Sequence, residues 1–266
     1  MAEPDVFLAP IEQDTLLTRA LAPFFPRYRV LMELQKEPAH LRSPYRNLIL
    51  SHDKRLLFLR NQKCACTQTT QFLYAYGNNG ATYMGNVHRA DRGIYPARYR
   101  WAVIRPVLMA HQAFLFTFVR DPVARAVSAF RNFFLDQDNI ARHKHMGPMQ
   151  AHGFDPAGSP ERNFDVFLDY VAHTLAVDRI RCDTHWRLQV DNIAFRDLTF
   201  DLIGRVESYN ADIARVFAAV GRPDFPPPAL LAQRHNPSRP TTFTASPAQR
   251  ARIAQIYAED YEAFGY

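Results

Sequence analysis

The stretch that most limits what this chain can fold into is Phe114-Leu-Phe-Thr-Phe-Val119, followed at once by Arg120-Asp121-Pro122. Six uncharged residues rich in aromatic and β-branched side chains predict a strand. Because polar residues do not alternate with apolar ones, both faces must be covered, as in a parallel sheet. Pro122 cannot continue that strand but suits the first position of a helix, with Asp121 as its N-cap. Val123, Ala126, Val127, Phe130 and Phe134 then recur at helical spacing and predict an apolar face against the sheet. Turning about 100° per residue puts Asp121, Arg125, Ser128 and Asn132 on the opposite, polar face.

The same strand-then-helix pattern recurs along the chain. Asn47-Leu-Ile-Leu50 and Leu56-Leu-Phe-Leu59 open the core as a buried strand region, and a loop through Lys63 leads into a helix over about 67–76, stopped by Gly77-Asn-Asn-Gly80. Residues 136–162, polar and rich in His, Gly and Pro, read as a long surface loop of the lid or acceptor-binding kind. Phe164, Phe167, Leu168, Val171 and Leu175 mark a further amphipathic helix, and 198–206 reads as a strand. Asn210 is expected to cap a helix ended by Gly221, and 223–240 is an irregular proline-rich crossing before a last helix over about 249–264. Strands alternating with helices predict an α/β fold, a parallel sheet with helices on both faces. Residues 1–47, broken by Pro23, Pro26, Pro38 and Pro44, read as an N-terminal extension packed on a core domain spanning 48–266.

Composition narrows the class. The formal net charge of +6 favours anionic ligands without choosing among them. Cys64, Cys66 and Cys182 are too few for a disulfide framework in 266 residues. No stretch reaches the roughly 20 apolar residues of a membrane span, and Glu3, Pro4 and Asp5 do not suit a secretory signal.

Two places could carry chemistry. A phosphate or sulfate is held by backbone N–H groups at a helix N-terminus together with a cation and small polar side chains. Lys63-Cys64-Ala65-Cys66-Thr67 supplies all of these directly after a strand, although the glycine-rich Walker pattern is absent. Taken alone, a surface lysine in a tight turn is the plainer reading. The second place is Arg120 just past the carboxyl end of its strand, where open α/β sheets bind ligands. Ser128, placed beside Arg125 on the polar helix face, would let a hydroxyl and a guanidinium converge on one phosphate. Cys64 and Cys66 do not suit a redox pair or half a metal site. His143, His145 and His152 lack carboxylates at ligand spacing and read as solvated. Trp186 suits either a core or a stacking platform.

Together the two motifs resemble the carbohydrate sulfotransferase family, the branch with chondroitin 4-O- and related sulfotransferases. Lys63-Cys-Ala-Cys-Thr67 is similar to its 5′-phosphosulfate loop, and Arg120-Asp-Pro with Ser128-Ala-Phe130 to its 3′-phosphate motif. The likeness continues through His185-Trp186, Leu202-Ile-Gly204 with Glu207, His235-Asn-Pro-Ser238, Ile256-Tyr-Ala-Glu-Asp-Tyr261 and Phe264-Gly-Tyr266. The resemblance implies a P-loop-like sheet and in-line sulfuryl transfer from 3′-phosphoadenosine 5′-phosphosulfate to a hydroxyl of a carbohydrate or glycan, possibly an acidic one, without a metal. It further implies that Lys63 neutralises the phosphosulfate bridging oxygen, and that Cys64, Ala65, Cys66 and Thr67 cradle the 5′-phosphate. Arg120 and Ser128 hold the 3′-phosphate in that scheme. His88 is the implied base, and His185 the second choice. A missing Golgi anchor points to a free cytoplasmic relative, as in bacteria, with a trimmed lumenal domain as the alternative.

Two other classes compete. A nucleotide-dependent phosphotransferase with a variant P-loop would need a Lys-Ser/Thr pair for Mg²⁺, which the loop lacks. A non-enzymatic binder of polyanions or nucleic acid is permitted by charge, but the basic residues are scattered rather than ranged along one helix, so no nucleic-acid partner is expected.

Overall fold

A computed structural model describes residues 6–10, 15–87, 101–136, 139–233 and 243–266. The chain divides into two compact units, each assembled from separated stretches. One comprises Glu12–Val119 and Asn192–Pro237; the other comprises Met1–Ile11, Arg120–Asp191 and Ser238–Tyr266.

The first unit holds a four-stranded sheet in the order β1 (Leu48–Leu50), β2 (Leu56–Leu59), β3 (Phe114–Val119), β4 (Leu202–Arg205). β3 is the strand expected from its apolar run, and it lies between parallel partners, with Leu57 opposite Leu115 and Thr117 opposite Ile203. β1 departs from the parallel expectation, since it runs antiparallel to β2 with Ile49 opposite Phe58. The cause is the short link. A parallel crossover needs a dozen or more residues, whereas Ser51 turns the chain at once, its N–H donating to the Leu56 carbonyl and its hydroxyl accepting from the Leu56 N–H. β4 is shorter than the expected 198–206, because Asp201 already leaves the strand path and its carboxylate accepts from the Leu115 N–H at 2.6 Å.

Helices flank this sheet. Phe72, Leu73 and Ala75 of the Cys66–Gly77 helix join Ile213, Val216 and Phe217 of the Tyr209–Ala219 helix in one core with Phe58, Phe116 and Phe118. Asn210 is not the cap of the latter helix. Asp212 serves that end instead, its carboxylate accepting from the Arg205 N–H at 2.9 Å and the Ser208 hydroxyl at 2.7 Å. The described part of the first 47 residues beyond Glu12 belongs to the same unit. Tyr45 stacks on Trp101 at 4.4 Å, and the Trp101 indole donates to Glu37.

The second unit is helical. Asp121 caps the Pro122–Phe130 helix, accepting from the Ala124 N–H at 2.7 Å. That helix continues as a single π-helical stretch, Arg131–Leu135, which brings both Phe133 and Phe134 inside. Residues 136–162 are not a surface loop, because His143–Ala151 forms a helix with His145 and Met149 buried. Gly147 and Pro148 argued against a helix there, yet tertiary burial outweighs intrinsic propensity. His145 is correspondingly not solvated. Phe130, Phe164 and Phe167 form the core of this unit, and Trp186, fully buried against Phe133, Phe167 and His145, belongs to that core rather than to a stacking platform. The final helix is two, Pro247–Ile256 with a Ser246/Gln249 capping box and Ala258–Phe264, parted at Tyr257, whose hydroxyl donates to the Trp186 carbonyl.

Gly204 in β4 has no room for a side chain: a Cβ there would lie 2.6 Å from the Phe118 ring and 3.1 Å from the Asp212 Cβ. Overpacking of this kind costs about 1–3 kcal/mol. Gly204→Ala should therefore lower the urea midpoint without changing the slope of the transition.

Candidate functional site

β2 ends at Leu59 and the helix Cys66–Gly77 begins after the loop of residues 60–65, so the loop at the sheet's carboxyl edge delivers a helix N-terminus. Asn61, almost fully buried, anchors that loop. Its amide donates to the Phe118 carbonyl at 3.1 Å, its side-chain oxygen accepts from Asn192 at 3.2 Å, and its carbonyl accepts from the Cys64 N–H. Lys63 and Ala65 both adopt left-handed backbone, φ 66° and 56°, although neither is glycine. Such conformations cost of order 1–3 kcal/mol each and collect at functional sites. Alternating hand also turns successive N–H groups toward one concavity, a nest suited to an anion. The first intrahelical bond is Thr69 N–H to the Ala65 carbonyl, so the N–H groups of Cys66, Thr67 and Gln68 have no carbonyl within the helix to reach.

Side chains in the loop divide by role. The Cys64 thiol is buried in the hydrophobic core and its N–H is held by the Asn61 carbonyl, so Cys64 shapes the loop. Lys63, Ala65, Cys66 and Thr67 are half-buried, within reach of solvent and ligand. Thr69 and Thr70 turn their hydroxyls back to the carbonyls of Ala65 and Cys66, which stiffens the first turn.

In the second unit, the side chain of Gln189 grips Arg120 through its backbone, accepting from the N–H at 3.0 Å and donating to the carbonyl at 2.9 Å. Ser128 is half-buried on the following helix. Arg125 does not stand beside it as a phosphate ligand. Arg125 is 2% exposed, and its guanidinium donates to the carbonyls of Arg187 at 2.8 Å and Thr184 at 3.0 Å. The residue that joins Ser128 is Arg131, three positions on and hence on the same helical side. Burial pulls the Arg131 pKa below the ordinary guanidinium value, and the nearby positive charge of Arg120 lowers it further. Two cations held close enough to repel are an arrangement that an anion relieves. Their spacing from Ser128 carried the signal for Arg131 in the sequence, but the polar character of Arg125 masked it.

A third cluster surrounds Asp183, which is 5% exposed at its side chain. Lys144 Nζ lies 2.6 Å and His145 Nε2 3.1 Å from one carboxylate oxygen, and His185 Nδ1 lies 2.6 Å from the other. Burial alone would raise the Asp183 pKa, but His185, His145 and Lys144 together hold it well below the usual carboxylate value. His185 thus lies in an organised environment, whereas His88 lies outside the described residues, as do His235-Asn-Pro-Ser238. Among the described residues, no group of three or more His, Cys, Asp or Glu could hold a metal ion, and no helix is long and apolar enough to cross a membrane.

Comparison with known proteins adds a family. The family model described as "Sulfotransferase family" matches residues 46–266. Carbohydrate sulfotransferase 11 of Danio rerio is 24% identical over 84% of this chain and 68% of its own length. The protein of the same name from Rattus norvegicus is 23% identical over 83% of this chain and 67% of its own. No solved structure matches.

The contrast between Arg125 and Ser128 is testable. Removing the Arg125 guanidinium strands two buried carbonyls, each costing about 1–3 kcal/mol. Arg125→Ala should lower the melting temperature sharply, while Ser128→Ala should leave it nearly unchanged, as read by differential scanning calorimetry.

Proposed function

Because the chain belongs to the sulfotransferase family, we propose that it moves a sulfuryl group from 3′-phosphoadenosine 5′-phosphosulfate to a hydroxyl of a carbohydrate acceptor. The observation that carries this reading is the paired left-handed backbone at Lys63 and Ala65, set at a helix N-terminus past the end of a parallel strand. Strain at that point has a use if an anion sits in the nest. The names of the two relatives support the carbohydrate acceptor. The match to residues 46–266 supports a sulfotransferase domain over about 48–266; the sheet is read here as P-loop-like and 1–47 as an extension packed on the domain.

In this reading the amides of 65–67 and the Thr67 hydroxyl hold the 5′-phosphate, and Lys63 neutralises the bridging oxygen as the S–O bond breaks. Arg120, Ser128 and Arg131 hold the 3′-phosphate with charge-assisted hydrogen bonds. The attacking hydroxyl gives up its proton to a base, for which His88 and His185 are the candidates. Lysine supplies the charge that a metal would otherwise bring, so EDTA should leave the rate of transfer unchanged.

A charge-assisted phosphate contact is worth about 1.5–3 kcal/mol, or roughly tenfold or more in affinity. Calorimetry should therefore find 3′-phosphoadenosine 5′-phosphate at least about tenfold tighter than AMP. Arg131→Ala should erase most of that preference and leave AMP affinity unaltered. Equal affinity of the wild type for the two nucleotides would remove the 3′-phosphate role from Arg120 and Ser128.

A further inference from the structure

The hydrogen bonds around Asp183 fix which ring nitrogens of the cluster carry a proton toward it. Asp183, held ionised, can only accept. Each imidazole nitrogen facing it must therefore carry a proton: Nε2 of His145 and Nδ1 of His185. Burial lowers the pKa of His145, favouring its neutral form, so its other nitrogen, Nδ1, is a lone pair. Tyr170 stands 3.1 Å from that nitrogen, and since its oxygen accepts from the Phe7 N–H at 3.2 Å, its own proton is directed to His145. Donation thus runs from Phe7 through Tyr170 and His145 to Asp183, whose other oxygen accepts from His185. His185 Nδ1 is therefore protonated, and the neutral form of that ring has its lone pair on Nε2. Among the described residues no hydrogen bond reaches that Nε2, and the His185 side chain is 33% exposed.

His185 is also fixed in place. Its own N–H donates to Asp183 at 3.1 Å, and Phe133 packs edge-on against its ring at 4.7 Å. The residues on either side of it are fastened to the Arg120 motif, since Arg125 grips the carbonyls of Thr184 and Arg187 and Gln189 grips the backbone of Arg120. A histidine with one nitrogen clamped by a buried carboxylate and the other open is the arrangement of an oriented general base.

We propose that His185 Nε2 takes the proton from the acceptor hydroxyl during sulfuryl transfer, with Asp183 as the positioning residue that sets its tautomer. The proposal rests on the sulfotransferase reading and takes His185 as the base. As the acceptor oxygen forms its bond to sulfur, its proton passes to Nε2. The sulfur–oxygen bond to the donor breaks, and its electron pair leaves on the 5′-phosphate of 3′-phosphoadenosine 5′-phosphate. The imidazolium so formed faces the Asp183 carboxylate, beside which Lys144 and His145 remain, and then releases its proton to water.

The test compares wild type with His185→Ala, His185→Gln and Asp183→Asn. Nucleotide affinity is read by calorimetry with 3′-phosphoadenosine 5′-phosphate. Turnover is read as release of that nucleotide from the sulfated donor, with chondroitin present and with water alone as acceptor. Both His185 variants should bind nucleotide as wild type does and lose turnover by about 10²–10⁴-fold. Added imidazole should restore part of the rate to His185→Ala, which a structural role would not allow. Asp183→Asn should lower kcat while leaving the donor KM in place. If His185→Ala and His185→Gln keep wild-type turnover, or lose it only in step with nucleotide affinity, the proposal is overturned while the sulfotransferase reading stands. A wild type that neither binds the nucleotide nor releases it from the donor overturns the reading itself, and the proposal with it.

Discussion

A six-residue strand whose residues from Leu115 onward are all excluded from solvent must satisfy its backbone on both edges, because an unpaired buried N–H or C=O forfeits about 1–3 kcal/mol. β3 meets that demand with β2 on one edge and β4 on the other, and the rest of the first unit is arranged around it. Parallel pairing places the ends of β2 and β3 at one edge of the sheet. There the last carbonyls run out of strand partners, and the Phe118 carbonyl is taken by the Asn61 side chain. The residue that completes the sheet's hydrogen bonding therefore also fixes the start of the Lys63 loop. Stability of the core and geometry of the candidate phosphate nest are one construction at this point.

The second unit solves a different problem, the placing of charge inside a largely aromatic core. Arg125 and Asp183 are both buried, and an isolated buried charge is prohibitively costly unless hydrogen bonds replace its water. Arg125 is satisfied by carbonyls of the 184–187 turn, and Asp183 by Lys144, His145 and His185. These bonds constrain the segment from Asp183 to Gln189, which has little regular structure of its own until the short helix at Gln189–Asn192. A single segment thus carries His185 toward solvent, Trp186 into the core and Gln189 onto Arg120. Apolar replacements could fill the same volume, but they would not set the direction of a proton on His185.

Where local chemistry decides, the sequence was legible. The apolar run 114–119, Asp121 before Pro122, and the helix expected after the Lys63 loop each match what is found, because strand pairing, capping and helix initiation are near-neighbour effects. The direction of β1 was not legible from apolar content, since it depends on how tightly Ser51 turns. Arg125 and His145 were placed in solvent because polarity served as a proxy for exposure, and the partners that make them buried lie dozens of residues away. The left-handed backbone at Lys63 and Ala65 left no mark in the sequence either, as no glycine announces it.

The π-helical stretch at Arg131–Leu135 links these strands of reasoning. A regular α-helix would carry the face set by Val123, Ala126 and Phe130 onward at a constant angle. Phe133 and Phe134, three and four residues past Phe130, are both buried in the core across the widened turn, while Arg131 stays half-buried near Arg120. Phe133 then meets His185 and Trp186 at 4.7 and 5.1 Å. Insertions of this kind cost helix regularity and recur at functional sites. Here the stretch does two things. It leaves a second arginine beside the Arg120 motif, and it supplies the ring that seats the histidine at the end of the Asp183 network.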